Sequence, residues 1–357
     1  MNKVYLNTVS LAKEPVINKG ASAGGSGSGV TINNQEKSLE ITENGTTEVT
    51  ADSGFTGLSK VVVNTNVASS GGGGSDMPVI GDGKTYLYIK IAAEGRMDVP
   101  LYFSQTKANG VTIDWGDGSA PQTLSRTGTV DTTHKYAAIG DYVISLDPVD
   151  GCTLGLGHNS SSYCVMGSTG SGEAVYCNRL QAVEIGKNVT SIGSNAFQSC
   201  YSLSSVVIPE NVTSIGSNAF DNCYSLTSVV ISKGVTSIGS YTFNNCYSLA
   251  SVVIPNSVTS ISGYAFQRCQ SLASVVIPNS VTSIGSWAFG NCNGVAFYDF
   301  SNYTSMPSLS NADAFSGIAF NCKFIVPDAL YDEWIAATNW STYASKIIKK
   351  SDWDAQS

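Results

Sequence analysis

Six cysteines in the sequence recur 23 residues apart without a slip in register: Cys177, Cys200, Cys223, Cys246, Cys269 and Cys292. Between them runs the pattern C-x-x-L-x-x-V-x-I-P-x-x-V-x-x-I-G-x-x-A-F-x-x, complete from Cys200 to Asn222. A unit this short cannot bury its apolar residues alone, so it has to stack against copies of itself. The period therefore predicts a solenoid of stacked coils.

The apolar positions of one coil indicate its local structure. Val206 and Ile208 alternate as in a short strand with one face inward. Pro209 ends that strand because it has no N–H to donate to a neighbour. Ala219 and Phe220 are predicted to fill the centre of the coil.

The repeat unit resembles a known family. The segment SVVIPNSVTSIGSWAFGNC, from Ser274 to Cys292, is similar to the BspA-like leucine-rich repeats. The resemblance implies a repeat solenoid over 177–322 that serves as a binding or display surface. It also implies a C-terminal cap over 323–357, in which Asp328 caps a short helix whose Leu330, Trp334 and Ile335 face the last coil.

A segment with different sequence motifs precedes the repeats. Trp115-Gly116-Asp117-Gly118, then His134-x-Tyr136 and Gly140-x-Tyr142, together resemble the polycystic-kidney-disease-type (PKD-like) β-sandwich. This resemblance implies an immunoglobulin-like spacer or adhesion module over 84–150, with 151–176 as linker and solenoid N-cap.

Glycine-rich segments divide the region before residue 84 into separate parts. Residues 1–30 are interpreted as an anchoring peptide with a Gly/Ser tether, 31–70 as a small β module and 71–83 as a glycine-rich linker. The predicted fold class is thus mainly β and multidomain: a small β module, a PKD/immunoglobulin-like sandwich and a leucine-rich-repeat solenoid with a short helical cap.

Charge and hydropathy exclude several classes of partner. The formal net charge is -8 with no cluster of Lys and Arg, so the chain lacks the basic surface that nucleic-acid binding requires. No apolar run of about 18 residues is present, which predicts no membrane insertion. The first 20 residues lack the apolar run of about 7 residues or more that an export signal requires.

Catalytic constellations are sparse. His134 and His158 are the only histidines, and no phosphate loop, nucleophile elbow or zinc-protease motif occurs, so the chain is predicted to be no enzyme and to need no cofactor. A nucleophilic pair of Cys164 with histidine is a remote alternative. Asp114, Asp117 and Asp141 are a weak calcium candidate, although turn geometry alone explains Asp117 followed by glycine.

The row of cysteines allows three interpretations. It could be a string of metal ligands, a chain of disulfides, or a set of small apolar side chains filling one corner of the coil. Metal ligands must converge from different directions, whereas a row presents its side chains in parallel. The preferred prediction is therefore buried free thiols, made at a reducing site.

Candidate binding residues are those that vary between coils or expose aromatic rings. Val207, Val230, Val253 and Val276 are predicted to form an exposed valine row. Exposed aromatic residues suit recognition of a carbohydrate or a protein, and the alternative is that they only pack the ridge. The candidates are Asn195, Asn218, Tyr241, Tyr264, Trp287, Tyr201, Tyr224 and Tyr247.

The functional hypothesis combines these modules. Adhesin-type modules without an export signal suggest a phage virion fibre or decoration protein, made in the bacterial cytoplasm and displayed on the virion surface. The N-terminal peptide would join virion proteins, the repeats would bind a host glycan or protein, and the chain would be a homo-oligomer, as trimeric fibres are. The alternatives are a bacterial cell-surface adhesin and a non-catalytic glycan-binding module.

Overall fold

The computed structural model describes residues 82–93, 97–157, 163–168 and 177–356, together with the backbone of three short strands nearer the N-terminus. The chain divides into two compact units, Met1–Asp82 and Gly83–Ser357. In the first unit, β1 (Val30–Asn33) pairs antiparallel with β2 (Ser38–Leu39) and parallel with β3 (Val49–Thr50). The predicted anchoring peptide and the glycine-rich residues 71–81 lie outside the described residues.

The second unit begins with six strands in two antiparallel groups. The first group has the order β4-β9-β6-β7, and the second pairs β5 with β8. Their apolar side chains, among them Leu87, Phe103, Trp115 and Ile144, are almost completely buried in the core. The PKD-like assignment of this region stays a prediction. The strands are β4 (Thr85–Ile91), β5 (Asp98–Gln105), β6 (Val111–Asp114), β7 (Gln122–Thr123), β8 (Gly128–Lys135) and β9 (Gly140–Pro148).

The segment predicted as a linker contains regular structure. Strand β10 (Leu154–Leu156) pairs antiparallel with β5 on one side. A small hairpin follows, formed by β11 (Tyr163–Cys164) and β12 (Gly167–Ser168). A single 3-10 turn, Cys177–Arg179, leads into the first coil.

Each coil then adds one strand to each of two parallel ladders. Val206 pairs with Val229 and Val229 with Val252, so equivalent residues of successive coils lie in register. Because the period sets the register, the same apolar side chain is buried in every coil. The first ladder contains β13 (Leu180–Glu184), β15 (Ser205–Val207), β17 (Ser228–Val230), β19 (Ser251–Val253), β21 (Ser274–Val276), β23 (Phe297–Asp299) and β25 (Lys323–Val326). The second contains β14 (Val189–Ile192), β16 (Ser214–Ile215), β18 (Ser237–Ile238), β20 (Ser260–Ile261), β22 (Ser283–Ile284) and β24 (Ser308–Leu309). Strand pairing is interrupted between β19 and β21 in the first ladder and between β16 and β18 in the second, so each ladder is divided between two sheets.

Both ladders continue directly into the preceding sandwich. Strand β13 pairs antiparallel with β4, and β14 pairs parallel with β10, which itself pairs with β5. The solenoid and the sandwich therefore share two sheets and one core.

The C-terminal residues close the other end of the stack. Helix α1 (Tyr331–Ala336) is followed by a 3-10 segment, Trp340–Lys346, then by β26 (Ile347–Lys349), which pairs with β25, and α2 (Lys350–Asp354). Trp334 is completely buried, as predicted, and Leu330 and Ile335 are partly buried against the core. The predicted cap at Asp328 is wrong: its carboxylate accepts a hydrogen bond from the Ser351 backbone N–H at 3.0 Å instead of capping α1. No helix within the described part of the chain is long and apolar enough to cross a membrane.

Candidate binding surface on the repeat coils

The interior of the coils is chemically inert. The buried thiol of each later coil donates a hydrogen bond to a phenylalanine carbonyl oxygen, as from Cys246 to Phe220 at 3.3 Å and from Cys292 to Phe266 at 3.0 Å. Burial raises the pKa of Cys292 to about 12, so its thiolate is strongly disfavoured at neutral pH. The prediction of buried free thiols is confirmed for Cys200, Cys223, Cys246, Cys269 and Cys292.

The first cysteine of the row differs from the others. Cys177 forms a disulfide with Cys164 of the β11–β12 hairpin, so the free-thiol prediction is wrong at this position. Cys164 is buried, and the N–H of the adjacent Val165 donates to the Ala196 carbonyl of the first coil at 2.6 Å. The bond also leaves Cys164 unavailable as a nucleophile, while His158 lies outside the described residues.

Outward positions of the first ladder form the valine row. Val207, Val230, Val253 and Val276 are all exposed, as predicted, with Val207 the most exposed at 66%. The register places Glu184 before the row and Asp299 after it. An apolar strip is thus bounded by a carboxylate at each end.

A second outward row, which we call the tyrosine row, consists of Tyr201, Tyr224 and Tyr247. Their ring centroids are 4.7 Å and 5.2 Å apart, and Tyr224 is 39% exposed. Burial, and then the neighbouring phenols, raise the pKa of Tyr224, so the hydroxyl stays protonated as a donor. Because both faces of the central ring are covered, the row presents ring edges and hydroxyls to solvent.

The row ends where polar residues take over its position. Asn178 occupies the equivalent place in the preceding coil and Gln270 in the following one. Asn178 also lines an open cleft with Lys90, Arg179 and Ser202 at the junction with the sandwich. The tyrosine row therefore leads towards a cleft whose lining includes the basic residues Lys90 and Arg179.

The remaining candidates form a third set, the turn row: Asn195, Asn218, Tyr241, Tyr264 and Trp287. All five have left-handed backbone, with φ between 55° and 61°. Asparagine tolerates this conformation, whereas for most L-residues it costs roughly 1–2 kcal/mol. The row therefore holds three bulky aromatic residues where the backbone favours asparagine.

The members of the turn row differ in exposure. Tyr241 is 36% exposed, and its ring is parallel to that of Tyr264 at 4.6 Å. Trp287 lies against Gly290, at a position where any side chain would collide with the indole. Asn195, predicted to be exposed, is only 4% exposed and drops out as a contact residue. The outward part of the row is thus Asn218, Tyr241, Tyr264 and Trp287.

The repeat segment matches a known family model. Residues 171–296 match the BspA type leucine rich repeat region in six copies. The coils are thus similar to BspA-type leucine-rich repeats over this segment. Repeats of this family are generally non-catalytic binding modules, and no enzyme family is indicated.

Solved structures with similar repeats come from several bacteria. A leucine-rich repeat protein from Bacteroides ovatus is 36% identical over 40% of this chain and 38% of its own, with a TM-score of 0.33. The T. pallidum leucine rich repeat protein is 28% identical over 43% of this chain and 87% of its own, with a TM-score of 0.33. A leucine rich cell surface protein from Faecalibacterium prausnitzii is 22% identical over 59% and 86%, with a TM-score of 0.23. The chain thus spans well under two thirds of the Bacteroides protein, and no curated protein matches it.

The BspA-type coils also contain a buried carboxylate that the sequence reasoning missed. Asp221, 7% exposed, accepts hydrogen bonds from Gln198 Nε2 at 3.0 Å and Asn244 Nδ2 at 2.8 Å, in the coils before and after it. Burial raises the pKa of Asp221 despite these donors. The only signal in the sequence is an acidic residue beside a core phenylalanine, with amides at the same position of both neighbouring coils.

Two of the calcium candidates in the sandwich, Asp114 and Asp117, accept local hydrogen bonds. The Asp117 carboxylate bonds His134 Nε2 at 2.7 Å and the Ser119 backbone N–H, while Asp114 accepts the Gly116 N–H. Burial opposes ionisation of Asp117, but these hydrogen bonds and the charge of His134 outweigh it and lower its pKa to about 2. Within the described residues, no three acidic, histidine or cysteine side chains gather as metal ligands, and a calcium site at Asp114, Asp117 and Asp141 stays a prediction.

Proposed function

We propose that the chain is a non-catalytic binding protein of the bacterial cell surface, and that its BspA-type coils bind an extracellular partner. The observation that carries this proposal is the tyrosine row. Three tyrosines occupy one outward position in consecutive coils, and their rings stack at 4.7 Å and 5.2 Å. Tyrosine is favoured at binding surfaces because it combines a large apolar ring with a hydroxyl and few rotamers.

The rigidity of the surface supports binding. Each tyrosine follows a cysteine fixed in the core, and the Tyr224 backbone N–H donates to the Asn222 carbonyl at 3.0 Å. Because the backbone is fixed and the rings pack against one another, these side chains lose little conformational entropy when a partner binds.

The disulfide supports the proposed location. Bonds such as Cys164–Cys177 form and persist outside the reducing cytosol. The virion-fibre hypothesis depends on an anchoring peptide outside the described residues, and homotrimer formation likewise remains a prediction. We therefore favour the cell-surface adhesin over the virion fibre.

The test compares the full chain with a variant of the row. Y201Q/Y224Q/Y247Q replaces each tyrosine by the residue that the next coil carries naturally, Gln270. Labelled proteins are applied to a printed glycan array and to mucin-coated surfaces. We expect the unaltered chain to bind, and the triple variant to bind at least about tenfold more weakly.

Phe320→Gln is the matched control, since Phe320 is 98% exposed and lies outside the row. It should bind like the unaltered chain. Equal binding by the triple variant, or no binding by the unaltered chain to any of these surfaces, contradicts the proposal.

A further inference from the structure

We infer that Tyr241, Tyr264 and Trp287 of the turn row form a binding strip for a neutral, linear glycan. This inference rests on the proposed binding function, but it concerns residues separate from the tyrosine row. It assigns a chemical class of ligand to one side of the coils.

The backbone provides the first argument. Asn195 and Asn218 occupy the same position in the two preceding coils, and asparagine adopts left-handed φ with little strain. Three later coils place bulky aromatic residues there instead, at φ values of 58°, 61° and 55°. Strained residues persist where function requires them.

The core does not explain these rings. The coil interior is already filled by the phenylalanine two residues further on, which is completely buried in every coil, as are Phe243, Phe266 and Phe289. Tyr241, by contrast, is 36% exposed. Tyr241 therefore faces outward, and Tyr264 and Trp287 are half-buried beside it, with part of each ring within reach of a partner.

The rings align along the solenoid axis. Tyr241 and Tyr264 are parallel within 2° at 4.6 Å. In the next coil, Trp287 lies against Gly290, whereas earlier coils carry Asn244 and Gln267 at the glycine position. The absence of a side chain at Gly290 makes room for the indole, which extends the strip to a third coil.

The neighbouring groups select for a neutral sugar chain. The residue before each ring is Ser240, Gly263 or Ser286, and the members of the strip carry no charge. The Ser286 hydroxyl donates to the Asp313 carboxylate at 2.9 Å, so the charge bordering the strip beside Trp287 is negative. Aromatic carbons contact the apolar C–H groups of a sugar, and hydroxyls exchange hydrogen bonds with it. An acidic glycan would find no cation in the strip to neutralise it.

The dimensions favour a glycan over a protein. Three coils spaced about 4.8 Å apart give a strip only a few sugar units long and one side chain wide. A stable protein interface needs about 800 Å² on each partner, which a single row does not provide. A linear oligosaccharide lying along the axis fits this shape.

The test uses the full chain and four neutral hexasaccharides: cellohexaose, chitohexaose, laminarihexaose and maltohexaose. Binding is measured by calorimetry, because the chain has five tryptophans and fluorescence does not isolate Trp287. The variant Y241N/Y264N/W287N carries the residue of the earlier coils at all three positions. We expect it to bind the recognised hexasaccharide at least about tenfold more weakly, yet to unfold at a temperature about 2 °C or more higher.

This combination of weaker binding and higher stability excludes misfolding as the cause. The control is Phe320→Gln, at a 98% exposed site outside both rows, which should retain hexasaccharide binding. If Y241N/Y264N/W287N binds the sugar as the unaltered chain does, the inference fails while the proposed function stands.

Two further outcomes also overturn the inference. One is that none of the four hexasaccharides binds. The other is that hexagalacturonate, measured beside them as the acidic probe, binds more tightly than all of them. Failure of the proposed function is recognised separately, by the absence of any binding to glycan arrays and mucin.

Discussion

Tyr86 of sandwich strand β4 pairs with Glu184 of β13, the first strand of the solenoid. On its other side β13 pairs with β15, so it has no free edge. Strand β14 is covered in the same way by β10. Unpaired edges of a solenoid recruit other strands and cause aggregation, and terminal coils therefore require caps. The sandwich performs this role at the N-terminal end of the coils.

Thr85 tests the junction directly. It is 1% exposed, and its hydroxyl oxygen accepts a hydrogen bond from the Gly186 N–H of the first coil at 3.0 Å. Thr85→Val keeps the shape but leaves that buried donor unpaired, which should lower the free energy of unfolding by about 1–3 kcal/mol. Urea denaturation followed by tryptophan fluorescence measures the change.

Thr213→Val is the control for Thr85→Val. Thr213 is exposed and also bonds a preceding coil through its hydroxyl, so its replacement should change stability by less than about 0.5 kcal/mol. Equal effects of the two substitutions would show that the junction hydrogen bond does not stabilise the chain.

The sequence predicted the inner coils but not the junction between the first coil and the sandwich. A strict period predicts the inward side chains and the strands of every inner coil, because each inner coil has the same neighbours, and Val206 and Phe220 are buried accordingly. The first coil pairs with residues that do not repeat. Periodicity therefore contains no information about the partners of Glu184 or Cys177.

The number of reactive cysteine thiols tests the Cys164–Cys177 disulfide. Nine cysteines with one disulfide leave seven free thiols, all buried. The folded chain should react slowly with a thiol reagent at pH 8, since burial raises the pKa of Cys292 to about 12. Denatured but unreduced protein should show seven reactive thiols, and nine after reduction. Nine thiols without reduction would exclude the Cys164–Cys177 bond.

The phenylalanine stack should dominate the stability of the coils. Phe243 is fully buried, with its ring centroid 5.3 Å from those of both Phe220 and Phe266. Phe243→Ala should lower the free energy of unfolding by about 3–5 kcal/mol, because it removes apolar contacts and leaves a cavity. Phe320→Ala, at a 98% exposed site, should cost less than about 1 kcal/mol. Urea titration measures the free energy of unfolding of both variants. Similar losses of stability in the two would contradict the burial pattern.

The candidate surface was only partly predictable. The variation from asparagine to aromatic at position 241 and its equivalents was visible in the sequence, but the left-handed backbone beneath it was not. Asn195 and Asn218 favour left-handed backbone, so the sequence indicates that conformation at their positions. Tyr241 and Trp287 give no such indication, because aromatic residues rarely adopt it. Exposure likewise depends on packing against neighbouring coils, which is why Asn195 is buried and Tyr241 is exposed.

Asp221 gives a prediction about pH. Burial raises the pKa of its carboxyl group above that of an unfolded chain, despite the hydrogen bonds from Gln198 and Asn244. A raised folded-state pKa stabilises the protonated form, so this contribution to stability is fully present below the unfolded pKa and is lost as pH rises through the folded one. The free energy of unfolding of the unaltered chain, relative to Asp221→Asn, should therefore increase as pH falls from neutral into the carboxyl range. Gln198→Met removes one donor to the carboxylate and should move this increase to higher pH. Urea titrations across that range measure both shifts, and a constant difference between the unaltered chain and Asp221→Asn would show that Asp221 titrates as it does in the unfolded chain.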